Sequence, residues 1–348
     1  MSSSRVRVGI LGASGLTGGE LVRLLLGHPG AELAFLGGRE SAGRTLGDVH
    51  PHLAGTAAGG HAIDAVEEAG DLDVAFLALP HGESAGIAPG LLERGCRVID
   101  LGGDFRLPAT AYPEWYGFEH PAPEWLEKAV YGLPERFRDQ IRSAHLVANP
   151  GCFPTPVVLG LAPLLEAGLV EPSPIVVDGK TGLSGAGRST ADAASHAATE
   201  ESVRPYRFPA HQHTPEMERW LSAAAGVTAG VSFVPHLVPA VRGVLTTAYA
   251  RVASGATSGS LVESLAEAYA GEAFVRVLPP GAMADTKRVR GCNVVELQAS
   301  VDPRTGMAVV IGALDNLVKG AAGKAIQNLN LMIGCDESTA LPAIGVYP

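Results

Sequence analysis

A thiol at position 152 stands in Asn149-Pro150-Gly151-Cys152-Phe153-Pro154-Thr155, between a β-like run, His145 to Ala148, and an apolar segment, Pro156 to Leu165, that reads as a helix. A cysteine at a helix start feels the positive end of the helix dipole and the open backbone N–H groups there, and both favour thiolate over thiol. Lowering a thiol pKa from ~8.5 by about two units raises its ionised share at neutral pH from a few per cent to roughly three-quarters. The competing reading is a small buried hydrophobe, the commonest fate of a free cysteine. The flanks favour chemistry: Gly151 permits a sharp turn, while Pro150 and Pro154 stiffen both sides. Cys152 is therefore a candidate nucleophile.

An acid–base partner for that thiol is offered by His211-Gln212-His213-Thr214-Pro215-Glu216, because imidazole titrates near neutrality and can take a proton or return one to an oxyanion. A loop histidine more often caps or faces solvent, but two within three positions lead here into a Thr-Pro-Glu helix start. Spacing alone leaves open which of His211 and His213 faces the sulfur. Two arginines are candidates for gripping an anion. Arg106 lies beyond the strand Val98 to Leu101, at the end of a parallel strand where ligands bind, although a salt bridge to Asp100 or Asp104 is the plainer reading. Arg188 closes the Gly/Ser loop Lys180 to Arg188, whose backbone N–H groups suit an anion nest. The segment Thr286 to Gly291 reads as a solvated basic face.

A second constellation, Gly12-Ala13-Ser14-Gly15-Leu16-Thr17-Gly18, follows the strand Val6 to Leu11 and opens an amphipathic helix. Glycines in that context allow a tight turn and close backbone approach, and the helix N-terminus presents N–H donors to a pyrophosphate. The spacing is GxxGxxG rather than GxGxxG, a departure that lowers its specificity. Gly12, Ser14, Gly15, Leu16, Thr17 and Gly18 are the expected cradle. The second strand, Leu33 to Leu36, ends in Gly37-Gly38-Arg39-Glu40-Ser41. Arginine at this strand end accommodates a ribose 2′-phosphate, so Arg39 and Ser41 favour NADP(H), with Glu40 the carboxylate that a small register shift would turn toward the ribose instead.

The elements that must position these groups fall into two sets. The first hundred residues alternate short apolar runs (Val6 to Leu11, Leu33 to Leu36, Val74 to Leu79, Val98 to Leu101) with amphipathic segments at Glu20 to Leu26 and Ser84 to Leu92, the signature of a parallel sheet with helical crossovers. Beyond Ile175 longer β-like runs at Val231 to Val234, Val244 to Ala250, Val294 to Val301 and Ala308 to Ala313 suggest an α+β domain. Val318 to Ile333 reads as one long helix, and Tyr112 to Trp125 as a loop with a single helical turn. The expected fold is α/β, a Rossmann-type NADP-binding domain over 1–150 and an α+β catalytic domain over 151–314. At 348 residues two domains are expected.

A formal net charge of −10 and the lack of any Lys/Arg cluster argue against nucleic acid and anionic membranes as partners. Cys96, Cys152, Cys292 and Cys335 form no CxxC pair, so neither a disulfide framework nor a zinc site is indicated. The pairs His50/His52 and His211/His213 lack the further ligands that a metal site requires, and none is expected. The N-terminus Met1-Ser2-Ser3-Ser4-Arg5 enters a strand pattern with no apolar leader, and no apolar run reaches membrane-spanning length, so the sequence reads as a soluble cytoplasmic protein.

Taken together these motifs resemble the N-acetyl-gamma-glutamyl-phosphate reductase family, the arginine-biosynthesis branch of the aspartate-semialdehyde dehydrogenase-like group. The likeness runs nearly end to end, through Gly12 to Gly18, Ala78-Leu79-Pro80-His81-Gly82, Asp104-Phe105-Arg106, Tyr131 to Glu135, Ala148 to Thr155, Ser184 to Arg188, His211 to Glu216, Lys287 to Asn293 and Asp315 to Gly323. It implies Cys152 as nucleophile, His211 as base with His213 beside the substrate, and NADPH as hydride donor to an acyl phosphate. It also implies that Pro80, Ser184, Gly185 and Asn316 join the cofactor site, and that Arg106, Asn149 and Arg188 join His213 around the substrate. The terminal segment 315–348 would pack back on the nucleotide domain, and the second domain would serve dimerisation in a homo-oligomer, a dimer or tetramer. Phe153, Gln212 and Cys292 depart from the family's usual tyrosine, arginine and serine; loss of that arginine puts in doubt any anion-binding duty of position 212. Alternatives are a reductase of carrier-bound aminoadipyl phosphate or of aspartyl phosphate, a cysteine hydrolase, which leaves the Gly12 loop unexplained, and a non-enzymatic NADP-binding protein.

Overall fold

A computed structural model describes residues 5–188 and 200–348; Met1 to Ser4, on which the reading of the N-terminus rests, lie outside the described residues. The chain divides into two compact units, Met1–Pro150 with Ala321–Leu341, and Gly151–Gly320 with Pro342–Pro348. Among the described residues the helices of ten residues or more are α1 (Leu16–Leu25), α2 (Ser84–Glu93), α3 (Pro134–Ser143), α4 (Pro154–Glu166), α5 (His213–Ala225), α6 (Ser258–Ala268) and α7 (Gly323–Met332).

The first unit is built on strands β1 (Val6–Leu11), β2 (Ala31–Gly38), β3 (Asp64–Ala65), β4 (Val74–Leu77), β5 (Arg97–Asp100), β6 (Val130–Tyr131) and β7 (Leu146–Ala148). They form one sheet in the order β3-β2-β1-β4-β5-β7-β6, every pairing parallel. β4 is buried at every position, as a parallel strand covered on both faces must be. One face packs Ile10, Phe76, Ile99 and Val147 against Leu21 of α1 and against Ala325, Ile326 and Leu329 of α7. Every residue of α7 is buried, its polar side chains included. Each of those donates within the unit: Lys324 Nζ to Pro150 O (2.9 Å), Gln327 to Glu135 (3.0 Å), Asn328 to Gly132 O (3.0 Å) and Asn330 to Thr339 O (2.9 Å).

The terminal segment departs from the sequence expectation at both ends. Asp315 to Gly320 belongs to the second unit, because the Asp315 carboxylate accepts the Gly291 N–H (2.7 Å) and Asn316 Oδ1 accepts that of Gly243 (2.8 Å). Pro342–Pro348 belongs there too, with Asn293 N–H donating to Pro342 O (2.7 Å) and Val346 N–H to Arg290 O (2.8 Å). The run read as one helix from Val318 opens instead with a π-helical turn, Val318–Ala322, in which Gly320 N–H reaches five residues back to Asp315 O (2.9 Å). Lys319 in this turn is fully buried, its ammonium 5.5 Å from the Phe274 ring.

The second unit carries β8 (Ile175–Thr181), β9 (Arg204–Pro205), β10 (Val231–Leu237), β11 (Val244–Arg251), β12 (Val275–Val277), β13 (Val295–Asp302) and β14 (Met307–Leu314). These make a mixed sheet in the order β12-β13-β14-β11-β8-β10-β9. α4 is apolar all round and buried from Pro154 through Leu165, lying between the sheet and helices α5 and α6. Its backbone comes close to the strands: a Cβ at Gly312 would lie 2.6 Å from Pro156, and one at Gly160 would lie 2.7 Å from Val310. Side chains of β8, β10 and β11 alternate in burial, one row packed inward and the other half-exposed.

Candidate active site

In the second unit Cys152 is partly exposed and precedes Phe153, the N-cap of α4, whose first turn begins two residues earlier than periodicity suggested. Pro154 and Pro156 carry no N–H, and Thr155 N–H is bound to Gly151 O (3.2 Å), so fewer open donors reach the sulfur than the sequence implied. What remains is the field of a long buried helix pointing its positive end at the thiol.

The Cys152 loop is clamped to α5. Gly151 N–H donates to Oε1 of the fully buried Glu216 at 2.9 Å, while Thr155 Oγ1 donates to Gly151 O at 2.7 Å. A Cβ at Gly151 would sit 2.4 Å from His213 Nε2, so only glycine lets the imidazole approach. A Cβ at Gly320, in the π turn, would sit 3.0 Å from that of Cys152. The His211 and His213 rings are 4.7 Å apart, within an aromatic wall of Phe153 (6.2 Å from His211), Tyr206 (5.5 Å) and Phe233 (5.2 Å). Burial pushes the Tyr206 hydroxyl pKa up, and the neighbouring Cys152 thiolate adds to the rise, which puts sulfur and ring in one electrostatic neighbourhood. His211 Nδ1 accepts the backbone N–H of His213 (3.1 Å), so the neutral ring carries its proton on Nε2. Gln212, which stands where the family has arginine, accepts a hydrogen bond from the Arg207 guanidinium (3.0 Å).

The Ser184 loop is joined to the same unit's π-turn segment: Asn316 Nδ2 donates to Ser184 Oγ (2.9 Å), and Gly185 lies exposed beside it. Arg188 is exposed at the loop's end.

In the first unit the glycine loop is tight. Gly12 has φ +95°, and a Cβ there would lie 2.2 Å from Ala78 O; a Cβ at Gly18 would lie 2.2 Å from Gly12 O. Gly15 is the N-cap of α1 and supplies no side chain to its first turn, which leaves Ser14 to Gly18 at a helix end suited to an anion. At the end of β2, the Ser41 hydroxyl is only 7% exposed and has no hydrogen-bond partner, an orphan group that a ligand oxygen would satisfy. Arg39 beside it is half-exposed and bonded to Glu83 (2.8 Å), whereas Glu40 points into solvent. Uncapped helix and crowded glycines together fit the pyrophosphate of a nicotinamide dinucleotide. Pro80 follows β4, on the loop that Gly12 abuts.

Two expected ligand groups also have contacts inside the fold. Arg106 is buried, donates to Leu101 O (3.0 Å) and lies in the field of Asp100 and Asp104. Asn149 is also buried, its amide shared between Ala321 O (3.3 Å) and Asn328 (3.1 Å), because α7 fills the space beside it. Two residues escaped the sequence reading. Glu216 appeared only as part of a helix start, yet it reaches 65 positions back to Gly151. His50, weighed only as half of a metal pair, donates from Nε2 to Ala13 O (2.8 Å) and packs where a Cβ at Gly19 would be, pinning the glycine loop. Spacing carries no signal for either.

Comparison with known proteins accounts for both units. Residues 7–144 match the semialdehyde dehydrogenase NAD-binding domain and residues 152–316 the semialdehyde dehydrogenase dimerisation domain. N-acetyl-gamma-glutamyl-phosphate reductase of Magnetococcus marinus is 47% identical over 348 residues, 99% of each chain. That of Desulforudis audaxviator is 48% identical over 345 residues, 99% of this chain and all of the relative. The chain belongs to the N-acetyl-gamma-glutamyl-phosphate reductase family. Among solved structures, aspartate semialdehyde dehydrogenase II of Vibrio cholerae, complexed with ASA, superposes with TM-score 0.72 at 18% identity, covering 95% of this chain and 99% of its own. The Candida albicans aspartate semialdehyde dehydrogenase with NADP gives 0.68 at 18%, covering 94% and 98%. At that identity the family member described here shares their fold. No helix among its described residues is long and apolar enough to cross a membrane.

Proposed function

We propose that the chain reduces N-acetyl-L-glutamyl 5-phosphate to N-acetyl-L-glutamate 5-semialdehyde with NADPH, in arginine biosynthesis. The observation that carries this reading is full-length identity of 44–48% to reductases of that name, joined to a thiol at a helix end with Glu216, His211 and His213 gathered around its loop. The Cys152 thiolate attacks the acyl carbonyl, the C–O bond to phosphate breaks, and inorganic phosphate leaves a thioester on sulfur. When bound, the nicotinamide nucleotide supplies a hydride to the thioester carbon. The His211 Nε2–H stabilises the resulting oxyanion; its collapse returns the C–S electron pair to sulfur and frees the aldehyde. Arg188 is the candidate cation for the departing phosphate, and His213 the candidate contact for the substrate's acyl chain. Arg39 and the unpartnered Ser41 hydroxyl support NADPH over NADH. All four cysteines are free thiols, in keeping with work in the reducing cytoplasm.

Self-association belongs to the same reading. The half-exposed row of the second sheet sets Val176, Val234, Leu245, Tyr249 and Ile311 among Asp178, Lys180, His236 and Thr247, a mixed face on the region matched by the dimerisation domain, and a second copy of this chain is its proposed cover. Light scattering reports the mass, and Tyr249→Glu should shift it toward monomer.

The deciding assay is phosphate-dependent reduction of NADP by N-acetylglutamate semialdehyde, with aspartate semialdehyde as the competing substrate. Cys152→Ser should bind NADPH yet lose turnover by several orders of magnitude; near-normal turnover rejects the thioester route. Preference for the aspartyl substrate rejects the assignment.

A further inference from the structure

Outside the residues already given chemical roles, an acid, Glu83, is bonded to Arg39 in the first unit. It follows Pro80-His81-Gly82 and immediately precedes α2, and its Oε2 accepts from Arg39 Nε at 2.8 Å. A second acid, Glu67, stands 3.9 Å from the same guanidinium. We propose that Glu83 sets how strongly this chain discriminates a 2′-phosphorylated nucleotide from its unphosphorylated counterpart, by competing with the phosphate for Arg39. The inference rests on the reading of Arg39 and Ser41 as the ribose end of the site.

Charge and rigidity carry the argument. One guanidinium flanked by two carboxylates leaves this corner net negative, and a phosphate monoester brings about −1.5 to −2 more. The phosphorylated nucleotide must therefore displace Glu83 from Arg39, or bind against its field, whereas the unphosphorylated nucleotide meets no such demand. The main chain around Glu83 does not yield: the Asp104 carboxylate accepts the N–H groups of Gly82 (2.8 Å) and Ala85 (2.9 Å), and Glu83 N–H donates to Pro80 O (3.3 Å). Displacement is thus a rotation of the side chain, and the loop it grows from keeps its place. The unpartnered Ser41 hydroxyl is a second, neutral contact that the exchange leaves untouched.

The test measures dissociation constants of NADPH and NADH by nicotinamide fluorescence on the full chain, for wild type, Glu83→Gln, Arg39→Ala and the double variant. Glu83→Gln should tighten NADPH about two- to five-fold at low ionic strength, the range expected of an exposed ion pair, and leave NADH unchanged. The gain should fade at ~0.5 M salt and vanish in the Arg39→Ala background. Unchanged or weaker NADPH binding by Glu83→Gln, equal tightening of NADH, or a gain that persists without Arg39 overturns the proposal. Arg39→Ala separates the two levels: a selective loss of NADPH keeps the 2′-phosphate reading whatever Glu83 does, and an equal loss of both nucleotides removes the reading and the inference together.

Discussion

Gly151→Ala tests how closely the nucleophile loop and the histidine helix must approach. The added Cβ would lie 2.4 Å from His213 Nε2, 2.7 Å from Cδ2 and 2.9 Å from Cε1, against an ordinary contact near 3.4 Å. The backbone at 151 is not in the left-handed region, so alanine costs nothing there in φ, and the whole penalty is this clash. The loop is tied by the Glu216 bond and the ring sits at the first position of α5, so relief requires the imidazole to retreat by about 1 Å, dragging its neighbour His211. Overpacking of this kind costs ~1–3 kcal/mol of stability, and a misplacement of ~1 Å in a catalytic group costs about 100-fold in kcat/KM. Thermal midpoint and phosphate-dependent semialdehyde oxidation measure the two effects. Gly151→Ala/His213→Ala supplies the control: deleting the ring should recover the stability lost to the single substitution while leaving turnover low. A Gly151→Ala enzyme with wild-type stability and activity, or a double variant no more stable than the single, refutes the steric account.

Other expectations follow from single contacts. Glu216→Gln keeps an acceptor for Gly151 N–H but removes its charge, a loss of ~1 kcal/mol that should lower kcat about five-fold and slow iodoacetamide labelling of Cys152, while NADPH affinity holds. His50→Phe removes the donor to Ala13 O and should weaken NADPH and NADH alike, roughly ten-fold by fluorescence titration, since the loop it pins serves the shared pyrophosphate. Burial beside Asp100 raises the Asp104 carboxyl pKa from 3.8 to about 7. The folded chain therefore binds a proton there that the unfolded chain releases, and this contribution to stability is lost as pH rises from about 4 to 7. Melting curves across that window should be flatter in Asp104→Asn.

Much of the site was legible because it is local. A strand, a glycine turn and an amphipathic helix are contiguous in β1, Gly12 to Gly18 and α1, and a thiol ahead of an apolar run marks Cys152 and α4. The start of α4 was read two residues late because Pro154 and Pro156 break the apolar pattern while being well suited to a first helical turn. Long-range pairings left no local trace. Arg106 was read either as a ligand group or as the partner of Asp100 and Asp104, and only the burial of both carboxyls shows that its charge lies in their field. The polar residues of α7 look like a solvated face, Lys324, Gln327, Asn328 and Asn330 among them, until the fold surrounds them with carbonyl and carboxylate acceptors. Their burial depends on segments nearly two hundred positions away, which periodicity does not register.

Ribosomes release a polypeptide from its N-terminus, so Ala321–Leu341, which seals the first unit's core over Ile10, Ile99 and Val147, is among the last stretches to emerge. Throughout synthesis of the second unit those side chains lack their final cover, and the parallel sheet waits half-dressed, with its nucleotide loop already drawn but its underside greasy. Premature termination before Ala321 would strand it in that condition, a target for chaperones or for clumping.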